Sequence, residues 1–260
     1  CPVTLDGRVP PFVQPTDFDK KDNTPYGGIR PRSIKWSQIL KFPPIQPSLF
    51  DLEYGGKPME IIINQDSINR PPNAGAKTGY RRSELVFAQN SGDDESARGV
   101  KTYHWSVRQG RGLNFTHEYQ NVWHERKDSK ANQFSVHIGA LVGREKQINS
   151  RFWKVIDQKE QVIWTSPMDP VEWENFAITL DYERNTIQVF YSKAYQRLKP
   201  VTAIRSNHND NGGQFHIGVL KKSTRAKDPE KDGYQELGFQ ESQIYGGIFI
   251  EDSRSGCISM

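Results

Sequence analysis

Three glutamates, Glu84, Glu118 and Glu125, are the side chains of this sequence best suited to bond-breaking chemistry. Hydrolysis of a glycosidic bond takes two flanking carboxyl groups, one to donate a proton and one to act as base or nucleophile. Glu84 lies in Tyr80-Arg-Arg-Ser-Glu-Leu85, where Leu85 and Phe87 share one strand face and Arg82 and Glu84 the other. Glu118 and Glu125 end the segment Glu118-Tyr-Gln-Asn-Val-Trp-His-Glu125, which has little of the aliphatic face a core strand shows. Seven residues apart, they point to opposite faces of an ideal strand and reach one trough only across a bulge. A polar, aromatic strand suits sugars, because pyranose rings offer apolar faces to Trp or Tyr and hydroxyls to carboxylates and amides. The pattern alone leaves the choice of pair open.

Gln214 and His216 alternate with Phe215, Ile217 and Val219, so they also point away from an apolar face. Other chemistries are poorly served. His104, His117, His124 and His137 lie on separate segments, without the tight spacing of a zinc site. There is no Gly-x-Ser-x-Gly elbow, phosphate loop or dinucleotide fingerprint, and neither cofactor nor metal is expected. Ser91-Gly-Asp-Asp-Glu95 reads as loop polarity rather than a calcium site.

The elements that must carry these residues are strands. Met59–Asn64, Tyr80–Phe87, Thr102–Arg108, Phe134–Ile138, Phe176–Leu180, Thr186–Tyr191, Phe215–Val219 and Tyr245–Ile250 repeat with period two or run as short apolar blocks. Gly/Asn/Asp-rich loops separate them and no helical stripe is sustained, which predicts an all-β sandwich or barrel, and in a two-sheet sandwich a concave outer face would form a groove. Residues 69–79 and 221–243 form the longest breaks. Residues 1–57 read as an irregular, Pro-rich segment wrapped over the sandwich and anchored by Trp36, since Pro cannot donate to a central ladder.

With no linker and no repeat, the 260 residues are expected to form a single domain, 1–260. A net charge of +4, from 35 basic and 31 acidic residues, is an ordinary mixed surface and excludes a nucleic-acid footprint. No apolar run approaches the roughly 20 residues of a membrane span. The two cysteines, Cys1 and Cys257, sit at opposite ends, and domain termini often lie close, so a disulfide between them is expected. Together with the sequon at Asn114-Phe-Thr116 and a start at Cys1 instead of Met, this suggests a secreted, extracellular monomer glycosylated at Asn114.

Taken in order, Tyr80-Arg-Arg-Ser-Glu-Leu85, Val100-Lys-Thr-Tyr-His-Trp-Ser106, Glu118-Tyr-Gln-Asn-Val-Trp-His-Glu125, Trp173-Glu-Asn-Phe-Ala177, Thr186-Ile-Gln-Val-Phe190 and Phe215-His-Ile-Gly-Val-Leu220 resemble the fungal glycoside hydrolase family 131. The resemblance runs from about residue 80 to Asp252. It implies a jelly-roll catalytic domain acting on β-1,3- and β-1,4-linked glucans, cellulose-like chains included. It maps the catalytic carboxylates onto Glu84 and Glu125, and a substrate contact onto His216. On this reading the enzyme is an endo-acting, inverting β-glucanase whose trough is lined by Arg82, Glu118, Tyr119, Gln120, Trp123, Gln214 and His216. Two rivals use the same residues: a polysaccharide lyase with a Tyr or His base and Arg82 neutralising a uronate, and a non-catalytic glucan-binding module.

Overall fold

The computed structural model describes residues 1–20, 26–31, 33–68, 79–87, 90–233 and 236–260. The chain opens with β1 (Val3–Asp6), β2 (Tyr26–Ile29), α1 (Trp36–Ile39), β3 (Leu40–Lys41), β4 (Met59–Asn64) and β5 (Arg81–Phe87). The central strands are β6 (Val100–Gln109), β7 (Glu118–Glu125), β8 (Asn132–Gly139), β9 (Phe152–Asp157), β10 (Val162–Pro167), β11 (Glu174–Asp181) and β12 (Thr186–Lys193). It closes with β13 (Lys199–Pro200), β14 (Arg205–Ser206), β15 (Phe215–Lys222), α2 (Pro229–Asp232) and β16 (Gln240–Asp252). One sheet runs β13-β12-β11-β6-β16-β4-β3, with β1 beside β16 and β14 beside β12. The other runs β10-β9-β8-β7-β15-β5-β2. Every pairing is antiparallel. The result is the expected two-sheet sandwich of jelly-roll kind.

The period-two residues of both sheets meet in one core. Tyr103, Trp105, Phe176, Ile178 and Tyr245 come from the first sheet, and Leu85, Val122, Phe134, Val136, Phe215 and Ile217 from the second. Trp105 stacks on Phe176 at 5.3 Å between ring centroids and on Phe134 of the facing sheet at 6.3 Å. Aromatics of this size bury roughly 150–250 Å² each, which offsets a modest aliphatic content.

Polar residues opposite the core are not all solvated. On β6, His104 is buried, with Nε2 2.9 Å from Glu251, and the Ser106 hydroxyl donates to Asn175. Phe50 packs edge-on against His104, and Ser259 bonds Glu251, so residues from the chain's start and end cover this outer face. The Pro-rich start is less irregular than its composition implies, because it adds β1, β2 and β3 at sheet margins, where the rule against Pro in central ladders does not apply. Trp36 is the buried anchor. Among the longer strands, β9 and β10 escape the period-two reading: in β9, Lys154 interrupts the pattern, yet it is buried and donates to the carbonyls of Gly139 and Phe152. The 221–243 break is shorter than expected, since β15 extends through Lys222 and β16 begins at Gln240. Of the 69–79 break, residues 69–78 lie outside the described residues. Among the described residues no helix is long and apolar enough to cross a membrane.

Cys1 and Cys257 form the disulfide, with Cα atoms 5.6 Å apart. It clamps β1 against the far end of β16, closing a loop over a separation of 256 residues. Replacing both cysteines with Ser is expected to lower unfolding free energy by about 2–5 kcal/mol while leaving the active-site face intact. Denaturant titration of both forms measures the loss; equal midpoints would show that the clamp contributes nothing.

Candidate active site

The outer face of the second sheet gathers the predicted residues, and a bulge in β7 is what brings them there. Gln120 pairs with His137 and Val122 with Val136, so Asn121 has no partner on β8. The extra residue resets the alternation. Tyr119 and Val122 face the core, while Glu118, Gln120, Trp123 and Glu125 share the outer face with Ser135 and His137. Asn121 turns inward, its amide donating to the Tyr245 hydroxyl.

On β5, Leu85 enters the core and Glu84 stands outside it beside Arg82. Glu84 pairs with Gly218 of β15. A Cβ on Gly218 would lie 2.5 Å from the Glu84 Cα and 2.7 Å from its Cβ, so only glycine leaves room for this carboxylate. Two residues before it, His216 pairs with Trp123 and stacks flat against that indole, with centroids 4.8 Å apart and planes 8° apart.

These pairings line up three titratable groups. His216 Nδ1 is 3.4 Å from a Glu84 oxygen, and its Nε2 is 3.4 Å from a Glu125 oxygen. Both contacts are loose, and neither nitrogen has another hydrogen-bond partner among the described residues. Catalytic hydrogen bonds are often long before substrate arrives. Arg82 grips both Glu84 oxygens through Nε and a terminal nitrogen. Ser129 donates to the second oxygen of Glu125 at 3.2 Å. Exposure separates the carboxylates: the Glu84 side chain is 0% exposed and Glu125 22%.

Burial alone would raise the Glu84 carboxyl, but Arg82 and His216 outweigh it and hold its pKa below the ordinary carboxylate value. Burial likewise works against Glu125, whose contacts with His216 and Ser129 bring it down. For His216, burial favours the neutral ring, yet the carboxylates on either side raise its pKa above 6.5. The shared contacts thus favour the ionised form of both carboxylates and the protonated form of His216 between them.

The other predicted residues divide. Tyr119 does not line the trough: it is fully buried in the core, and its hydroxyl donates to Glu241. Trp123 is 3% exposed, with one ring face covered by His216, so it supports the imidazole and offers no open platform for a sugar. Gln214 precedes β15, donates to the Asn90 carbonyl, and its own carbonyl accepts the Glu125 backbone N–H. Glu118 and Gln120 lie farther along the face, bound to Lys222. Asn114 is half-buried: its side-chain oxygen accepts from Thr116, and its amide donates to Glu236.

Sequence reasoning set Ser135 and His137 opposite the apolar face of Phe134, Val136 and Ile138 without assigning them to the site, and it missed Lys222, which keeps step with His216.

Compared with protein families, residues 3–256 match the glycoside hydrolase 131 catalytic N-terminal domain. No curated protein matches significantly. Among solved structures, a GH131 β-glucanase catalytic domain from Podospora anserina is similar at TM-score 0.79 and 20% identity, covering 100% of this chain and 98% of its own. The catalytic domain of a family 131 protein from Coprinopsis cinerea gives TM-score 0.76 and 19% identity, covering 100% and 97%. An alginate lyase of polysaccharide lyase family 7 reaches TM-score 0.54 at 12% identity, over 92% of this chain and 98% of its own. At these identities the structural likenesses speak for the fold.

Proposed function

The chain belongs to the glycoside hydrolase 131 family and is a glycoside hydrolase, and from that premise we propose that it cleaves β-1,3- and β-1,4-linked glucan chains from within, with Glu84 and Glu125 as its acid–base pair coupled through His216. The observation that carries this reading is the row Glu84–His216–Glu125, two carboxylates on either side of one imidazole on the outer sheet face. Glu125 is the member open to substrate. Glu84, buried under Arg82, acts through the imidazole it charges. The β-glucanase similar to this chain and the neutral hydroxyl-rich polymer such a face suits point to the same substrate class.

The lyase reading loses its parts. Tyr119 is in the core, Arg82 is neutralised by Glu84, and two carboxylates around His216 would repel a uronate. The disulfide supports secretion, because such bonds persist in oxidising compartments.

Inversion is part of this proposal and does not rest on the carboxylate spacing, because the His216 ring occupies the gap between Glu84 and Glu125. A panel of neutral and acidic glycans assayed for reducing ends should therefore respond only with β-glucans, and early proton NMR of the digest should show the α-anomer first. Release from no glucan would leave the binding-module reading. The β-anomer first would overturn inversion.

A further inference from the structure

A cavity of about 290 Å³ opens on the same face, beside Glu125 rather than over it. Asn132 and Ser135 line it, and their cross-strand partners on β7 are Glu125 and Trp123. Its far end reaches Glu118, seven residues along β7, a distance of about 20 Å at the usual rise per strand residue. The cavity thus starts one strand from Glu125 and leads away along the direction of β7 and β8.

Its floor is a built polar network. Lys222 Nζ donates to Glu118 Oε1 at 3.0 Å and to Gln120 Oε1 at 2.9 Å. Glu118 Oε2 accepts the Val142 backbone N–H, and His137 Nδ1 stands 3.1 Å from Oε1. His137 Nε2 contacts the Ser135 hydroxyl at 2.8 Å. Burial opposes ionisation of Glu118, but Lys222 and His137 override it and keep the carboxylate charged. Burial prevails at His137, lowering its pKa and keeping the ring neutral. The floor therefore holds one anion and one cation in contact, with an imidazole, an amide and a hydroxyl around them, and the rest of the lining adds one charge of each sign, Arg144 and Glu160. An ammonium has three donors, and among the described residues two are engaged, which leaves one N–H of Lys222 for a ligand.

Such a floor matches the chemistry of a neutral sugar, whose hydroxyls both donate and accept. Two anions and two cations balance in the lining, which suits a neutral ligand better than a uronate, and Tyr80 and the His137 imidazole are the only rings among the described lining residues, so hydrogen bonding supplies most of the contact. We propose that this cavity is a subsite for a neutral hexopyranose of the bound chain, with Lys222 as its principal donor, and that it makes the enzyme faster on long chains than on short ones. This rests on the reading of Glu125 as the cleaving end.

The test uses Lys222→Met, which keeps the stem and removes the donors, and Ser135→Ala, which leaves the Lys222–Glu118 pair in place. Both are compared with wild type on trimers and hexamers of β-1,4- and of β-1,3-linked glucose. The loss of kcat/KM for Lys222→Met should be about tenfold greater on the hexamer than on the trimer, the size expected for one lost hydrogen bond to a charged group. Ser135→Ala should shift the same ratio in the same direction by less. Equal losses on both lengths, or none, would overturn the subsite. Binding is read separately, from the His137 ring resonances of the wild-type protein. They should move on adding the neutral hexamer and stay put with a glucuronate oligomer. If wild type releases no reducing ends from either length while His137 still responds, the catalytic reading fails and the subsite stands. If cleavage proceeds and His137 is silent to the hexamer, the subsite fails alone.

Discussion

Glu125→Gln is expected to leave about one hundredth or less of the wild-type rate of glucan cleavage while glucan binding survives. Glutamine keeps the shape and accepts from Ser129 as Glu125 does, but it cannot exchange a proton with His216. Positioned acid–base groups typically supply at least about a hundredfold, which sets the size of the loss. Folding should change little, because this side chain is partly exposed and its contacts are loose. Initial rates of reducing-end release, set beside binding to insoluble glucan, separate catalysis from recognition. Glu118→Gln is the counterpart: its oxygens are held by Lys222 and Val142, so its effect should fall on stability and binding rather than on the proton step. Should Glu118→Gln remove the activity and Glu125→Gln spare it, the catalytic assignment passes to Glu118.

The second large effect is on the pH profile. With both carboxylates held below their ordinary 4.5 and His216 above its ordinary 6.5, activity should form a bell whose acid limb lies below the first value and whose alkaline limb lies above the second. Glu84→Gln removes the anion that helps charge His216, so the alkaline limb should move down toward 6.5 and the maximal rate fall at least about a hundredfold. A substitution that merely damaged packing would lower the bell without moving its edge. Stability follows the same groups. The His216 contribution is present below 6.5 and lost as pH rises through its raised pKa; the carboxylate contributions are present above 4.5 and lost as pH falls through their lowered ones. Since Glu84→Gln also leaves Arg82 without its buried counter-charge, it should cost about 3–5 kcal/mol, and rates must be read well below its melting temperature. An unmoved alkaline limb in Glu84→Gln would detach Glu84 from the proton chemistry.

Much of this architecture was legible in one dimension. Tyr103, Trp105 and Val107, or Phe215, Ile217 and Val219, alternate because a strand buries every second side chain, and that rule acts between neighbours along the chain. The same rule put Arg82 with Glu84 and found His216 outside the core. It failed where a strand's partner intervenes. Lys154 looks like a break in an apolar pattern, yet it stays buried because carbonyls of Gly139 and Phe152 accept its ammonium.

The sequence by itself determined the residue types of the site, the strands that carry them and the pairing of the terminal cysteines. Tertiary structure decided which of them meet. Whether Glu118 and Glu125 share a face depends on Asn121 having no partner on β8, and a bulge is a property of two strands in register, absent from either alone. Tyr119 has the composition of a sugar contact and becomes a core residue because the facing sheet supplies Glu241 for its hydroxyl. Glu84 and Glu125 become a coupled pair only because β15 threads between β5 and β7, setting His216 3.4 Å from each. Electrostatic coupling falls with distance through space, and separation along the chain says nothing about that distance until the sheet is built.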